Sequence, residues 1–88
     1  MNLKMNWTII IDERAEKRLK RVPARDYMRI RKSISDMESD PFFGDINKMR
    51  GENVWRRRVG SYRIFYEIHK NNRVVYIFEL KRRTSTTY

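Results

Sequence analysis

The sequence predicts an α+β fold in the order β-α-α-β-β-β, an antiparallel meander with a helical hairpin packed on one sheet face. Three observations predict it. The run from Trp7 to Ile11 is apolar, rich in β-branched residues and too short for a helix. Two successive stretches between residues 13 and 39 then space their apolar residues at three and four, the helical period. From Val54 onward the period falls to two, the period of a strand with one covered face.

The first strand is followed by Asp12 at an N-cap position, with Glu13 and Glu16 in the first turn, where carboxylates meet the positive end of the helix dipole. A first helix is therefore expected over Glu13 to Arg21. Its apolar stripe is Ala15, Leu19 and Val22, and Glu13 with Lys17 and Glu16 with Lys20 form i,i+4 pairs in the favourable order. Pro23 breaks it and opens a second helix, because a missing N–H costs nothing in a first turn. Tyr27, Ile30, Ile34 and Met37 carry that helix to about Ser39, and Pro41 ends it. The hairpin must lay its apolar side on the sheet.

Residues Asp40 to Asn53 have the composition of a wrapping loop, pinned by Phe42, Phe43, Ile46 and Met49. Strands then follow over Trp55–Val59, Tyr62–Lys70 and Arg73–Lys81. A two-residue turn at Gly60-Ser61 takes positive φ at the glycine, and a type I′ turn is expected at Asn71-Asn72. The last strand, VVYIFEL, is apolar on both faces and so belongs inside the sheet. Residues 81–88 form a polar basic tail. The chain is read as one domain over residues 1–88, without internal repeats.

Composition narrows the function. Twenty-one Lys+Arg against 11 Asp+Glu give a formal charge of +10, which favours a polyanionic partner, nucleic acid first. No stretch is apolar enough to span a bilayer and the first residues lack a signal-peptide core, so a cytoplasmic location without membrane partners is expected. The absence of cysteine excludes thiol catalysis and Cys-type zinc sites, and a single histidine excludes paired-histidine mechanisms. No metal or small-molecule cofactor is expected.

The chemistry concentrates in WRRRVGSYRIFY, residues 55–66. Side-chain alternation puts Arg56 and Arg58 on one face and Trp55, Arg57 and Val59 on the other, and pairing across the turn brings Arg63 to the first two. Three guanidiniums on one ribbon make a phosphate site, since each is a planar fork of donors that stays charged. Tyr62, Tyr66 and Tyr76 read as packing residues and His69 as an exposed one. Glu67 and Glu79 read as ion-pair partners of the arginines.

Asp12-Glu13-Arg14-Ala15, Asn47-Lys48-Met49-Arg50-Gly51, Trp55-Arg56-Arg57-Arg58 with Gly60-Ser61-Tyr62-Arg63-Ile64-Phe65-Tyr66, and Arg82-Arg83 with Tyr88 stand in an order that resembles the RelE/ParE superfamily of small toxins from toxin–antitoxin pairs. The resemblance to its RelE branch implies a ribosome-dependent, metal-independent endoribonuclease that cuts messenger RNA in the A site. By the same resemblance its catalytic residues are Arg56, Arg58, Arg63, Arg82 (or its neighbour Arg83) and a base-stacking Tyr88. Lys48, Arg50, Lys81 and Arg83 complete it as RNA-binding cations. The implied partners are the ribosome, messenger RNA and an acidic RelB-like antitoxin. Three positions depart from the family: arginine replaces lysine at Arg56 and Arg58, and Lys81 stands about where a histidine is frequent. Arginine does not give up its proton, so these two residues suit charge stabilisation: either positioning and charge supply most of the rate, or Lys81 or a ribosomal RNA atom acts as base, or the chain is a weak or inactive relative. The alternatives are a ParE-like gyrase inhibitor without catalysis and a non-catalytic basic RNA-binding domain.

Overall fold

The computed structural model describes residues 6–83 and has the expected two layers, two helices on one face of a single sheet. The elements are β1 (Thr8–Ile11), α1 (Glu13–Lys20), α2 (Ala24–Ser39), β2 (Ile46–Lys48), β3 (Trp55–Val59), β4 (Tyr62–His69) and β5 (Val74–Arg82). The sheet order is β1-β5-β4-β3-β2. β3, β4 and β5 form the antiparallel meander, while β1 joins the far side of β5 in parallel, Thr8 beside Val74 and Ile11 beside Ile77. β5 is therefore interior, as its two apolar faces require.

The helices begin where the caps place them. Asp12 is extended and its carboxylate accepts the Arg14 N–H at 3.3 Å, and Pro23 precedes the first residue of α2. α1 contributes Ala15 and Leu19 to the core, and α2 contributes Ile30, Ile34 and Met37. These meet every second residue of β4 (Tyr62, Ile64, Tyr66, Ile68) and Val75, Ile77 and Leu80 of β5. A leucine or isoleucine fully buried this way is worth about 1.5–3 kcal/mol, which is what fixes the hairpin to the sheet.

Three expectations are corrected. The stretch from Asp40 to Asn53 is not all loop: β2 adds a fifth, edge strand, Ile46 opposite Arg57 and Lys48 opposite Trp55. Within the same stretch Phe43 is 76% exposed and pins nothing, whereas Pro41 is fully buried and Phe42 packs edge-on between Trp7 (5.8 Å) and Trp55 (5.6 Å). The turn before β5 closes with the Arg73 N–H donating to the Lys70 carbonyl, and its left-handed residue is Arg73 (φ 54°) rather than Asn71 or Asn72. A four-residue connection can be built on an ordinary turn with the positive φ displaced to its end. Gly60, by contrast, holds the expected positive φ (59°) in the β3–β4 turn.

Candidate phosphate-binding site on the open sheet face

Strand alternation decides which cations meet. In β3, Trp55, Arg57 and Val59 turn toward the helices, so Arg56 and Arg58 turn away from them. Register then aligns the neighbours: Arg58 lies opposite Arg63 on β4, and Arg63 opposite Lys81 on β5. Directly opposed residues have Cβ atoms about 4.5–5.5 Å apart, so Arg58, Arg63 and Lys81 form one row of three cations across three strands. The next row holds Asn47, Arg56, Phe65 and Glu79. The Lys81 ammonium stands 5.8 Å from the centre of the Phe65 ring, which fixes it above an apolar surface.

Like charges aligned on a sheet repel, and the chain relieves this only in part. Arg58 Nε donates to Asp45 Oδ2 at 3.2 Å, an exposed pair, and the Arg58 N–H donates to the Asp45 carbonyl at 3.0 Å. The Nε atoms of Arg56 and Arg63 are buried without a hydrogen-bond partner among the described residues. No carboxylate pairs with Arg56, Arg63 or Lys81 among the described residues, so their positive charge is left for an oxyanion. Glu67 is not an arginine partner, contrary to expectation: its carboxylate is 2.8 Å from His69 Nε2, and His69 is exposed as expected. No ion pair links Glu79 to an arginine among the described residues.

The middle arginine of the triplet has a different place. Arg57 is 6% exposed; its Nε donates to Ser33 Oγ of α2 at 2.6 Å and its Nη1 to the Phe43 carbonyl at 2.9 Å. It braces β3 against α2 and the 40–45 segment and so holds Arg56 and Arg58 outward. Tyr66 lies in the same core, its hydroxyl donating to the Pro41 carbonyl; burial raises its pKa above the usual 10.0, and Arg57 only partly offsets this. On the open face, Tyr76 donates to Asp12 Oδ1 at 2.9 Å, and this bond to a carboxylate raises its pKa as well. Tyr62 and Tyr66 pack in the core as expected, while Tyr76 packs on the open face against Phe78.

The structure brings Arg56, Arg58, Arg63 and Lys81 together and separates others. Arg82 lies opposite Tyr62 and so turns to the helix side, beside Arg18 of α1 and Arg21 just after it. Arg83 continues the ladder, its N–H donating to the Ser61 carbonyl, and is exposed at the end of the row. Lys48, opposite Trp55, also belongs to the helix side; Arg50 is exposed in the turn after β2. The expected stacking residue Tyr88 lies outside the described residues. Sequence reasoning gave Asp45 and Asn47 no role at the site; they reach the rows only because β2 pairs with β3. No helix among the described residues is long and apolar enough to cross a membrane.

The sequence matches the family described as ParE toxin of type II toxin-antitoxin system, parDE, over residues 9–86. Among curated protein sequences none matches. Solved structures do: the archaeal RelE–RelB complex from Pyrococcus horikoshii OT3 is similar at 26% identity and a TM-score of 0.82, covering 93% of this chain and 100% of that one. The isolated E. coli RelE toxin gives 19% identity and 0.80, covering 91% and 87%. A YoeB/ParE toxin from Agrobacterium tumefaciens gives 16% and 0.74, covering 88% and 99%.

Proposed function

Because the chain belongs to the ParE toxin family of type II toxin–antitoxin systems and has a RelE-like fold, we propose that its toxicity is ribosome-dependent cleavage of messenger RNA. The observation that supports this is the row Arg58–Arg63–Lys81 flanked by Arg56, on a sheet face without covering helices. RNA cleaved through its own 2′-OH passes through a phosphorane-like state whose added charge must be held. Arg63, in the middle of the row, holds the phosphate, and Arg56 and Arg58 lower the cost of its growing charge. Arginine cannot accept the 2′-OH proton. Lys81 and a ribosomal group are the two candidates for taking the 2′-OH proton and for protonating the leaving 5′-oxygen.

A domain of 88 residues has little surface with which to hold a flexible strand in line for attack, so the ribosome supplies alignment. Similar folds were solved as complexes of RelE with RelB, and the charge of +10 fits an acidic antitoxin that folds over the open face in a cytoplasmic pair. A second reading is favoured by the sequence match itself, which is to ParE: inhibition of DNA gyrase by binding alone. A translation reaction read by primer extension, run beside a gyrase supercoiling assay, tests both. Codon-phased cuts with gyrase untouched are expected; inhibited supercoiling with an intact message overturns the proposal.

A further inference from the structure

On the helix side of the same sheet end, α1 and the ends of β4 and β5 enclose an open cleft of about 260 Å³ lined by Arg18, Arg21, Val22, Tyr62, Leu80 and Arg82. Three of the six are arginines, and no carboxylate lines it. None of the three forms an ion pair among the described residues; Arg18 has only its Nη1 bond to the Leu80 carbonyl, at 3.4 Å. The remaining lining is apolar or aromatic, Tyr62 and Leu80 being nearly buried. Gathering three guanidiniums around one hollow without a counter-charge costs the folded state energy, which a bound anion recovers. The volume falls below the roughly 300–1,000 Å³ of drug-sized sites and suits a phosphate with part of its sugar.

We infer that this cleft is a second phosphodiester site, occupied by the same RNA strand whose neighbouring phosphate lies on the Arg58–Arg63–Lys81 row. The inference rests on the RNA reading above. Continuity is the argument: Lys81 and Arg82 are consecutive residues on opposite faces of β5, so the row and the cleft meet at one rim. A ligand that repeats an anion at every unit can cross such a rim and stay neutralised on both sides. Carboxylates on a folded partner come singly and lack that regularity. Arg82 accordingly serves the cleft, with Arg18 and Arg21, rather than the row.

The test uses the full chain and a labelled 12-nucleotide single-stranded RNA, titrated from low to moderate salt. Compared are the parent, Arg18→Gln/Arg21→Gln and, for the row, Arg63→Gln; melting curves establish that each is folded. Each phosphate contact contributes about 0.7 to the salt slope of a single strand. The double variant is expected to bind at least tenfold more weakly with a slope shallower by about 1.4, and Arg63→Gln with one shallower by about 0.7. A double variant that binds like the parent, with Arg63→Gln still weakened, overturns the cleft. So does a double variant that loses only its complex with the acidic partner protein, and so does a parent that binds no RNA. If RNA binding behaves as expected while ribosomes yield no cuts, the cleavage reading fails and the cleft stands.

Discussion

Asp45 holds Arg58 from the neighbouring segment, Oδ2 to Nε at 3.2 Å, and is the one acidic side chain paired with the cation row among the described residues. Both side chains are about half exposed, so the pair contributes at most about 1 kcal/mol to stability. Its larger effect is on ligands, because an incoming phosphate must compete with Asp45 for Arg58. Asp45→Asn is expected to lower the melting temperature by no more than about 4–8 °C and to bind single-stranded RNA more tightly, with a steeper salt dependence. Unchanged affinity at two salt concentrations would show that Arg58 makes no phosphate contact.

Arg63 should divide function from stability. Its loss removes the middle of the row while the core residues Tyr62 and Ile64 on either side remain. Arg63→Ala is expected to melt like the parent and to lose toxicity, about 3 kcal/mol or more of transition-state stabilisation, over a hundredfold in rate. Growth arrest equal to the parent's would remove Arg63 from the site.

Leu19 and Ile34 make the opposite prediction. They are 2% and 7% exposed and join the helices to the sheet. Replacing either by alanine is expected to cost about 2–5 kcal/mol, seen as a lower denaturation midpoint with a normal slope.

Gly44 and Gly51 both have positive φ, 126° and 72°, but differ in surroundings. A Cβ at Gly51 meets open space, whereas at Gly44 it would stand 2.8 Å from Arg57 Nη2. That guanidinium cannot step aside without giving up Ser33 and Phe43. Gly51→Ala should therefore cost about 1 kcal/mol and Gly44→Ala at least 2–3 kcal/mol, the excess coming from a buried cation robbed of partners. Equal urea midpoints for the two would disprove the brace.

High pH should weaken the fold through Tyr66 and Tyr76. Both phenols have pKa values raised above 10.0, by burial and by the Asp12 bond respectively, so the folded state keeps protons that the unfolded chain loses first. Their contribution is intact below pH 10 and is lost as pH rises from there through the raised values. Melting curves from pH 9 to 11 should fall more steeply for the parent than for Tyr76→Phe.

Much of this was legible because periodicity is a local signal. The helical stripes, the meander and the pairing of Arg58 with Arg63 all follow from spacing and one glycine turn. β2 was not legible: Ile46-Asn47-Lys48 is too short to show a period and becomes a strand only through β3. The burial of Arg57 was half legible. Alternation gave its direction, but nothing in a run of three arginines says that Ser33, 24 residues away, will receive one of them. The position of Arg82 needed the register of β5, which the bulge between Phe65 and Tyr66 shifts after a simple alternation count has been made.

The parallel pairing of β1 with β5 joins the first strand to the last, Thr8 to Val74, 66 residues later. At 5–20 residues per second of synthesis, β1 waits roughly 3–13 s for its partner. Until then Arg63 lies on a ribbon whose far side is unsupported, and Lys81 does not exist. The row across β3, β4 and β5 is therefore the last part of the sheet to be completed, since Arg58 and Arg63 have no third cation beside them before β5 is made.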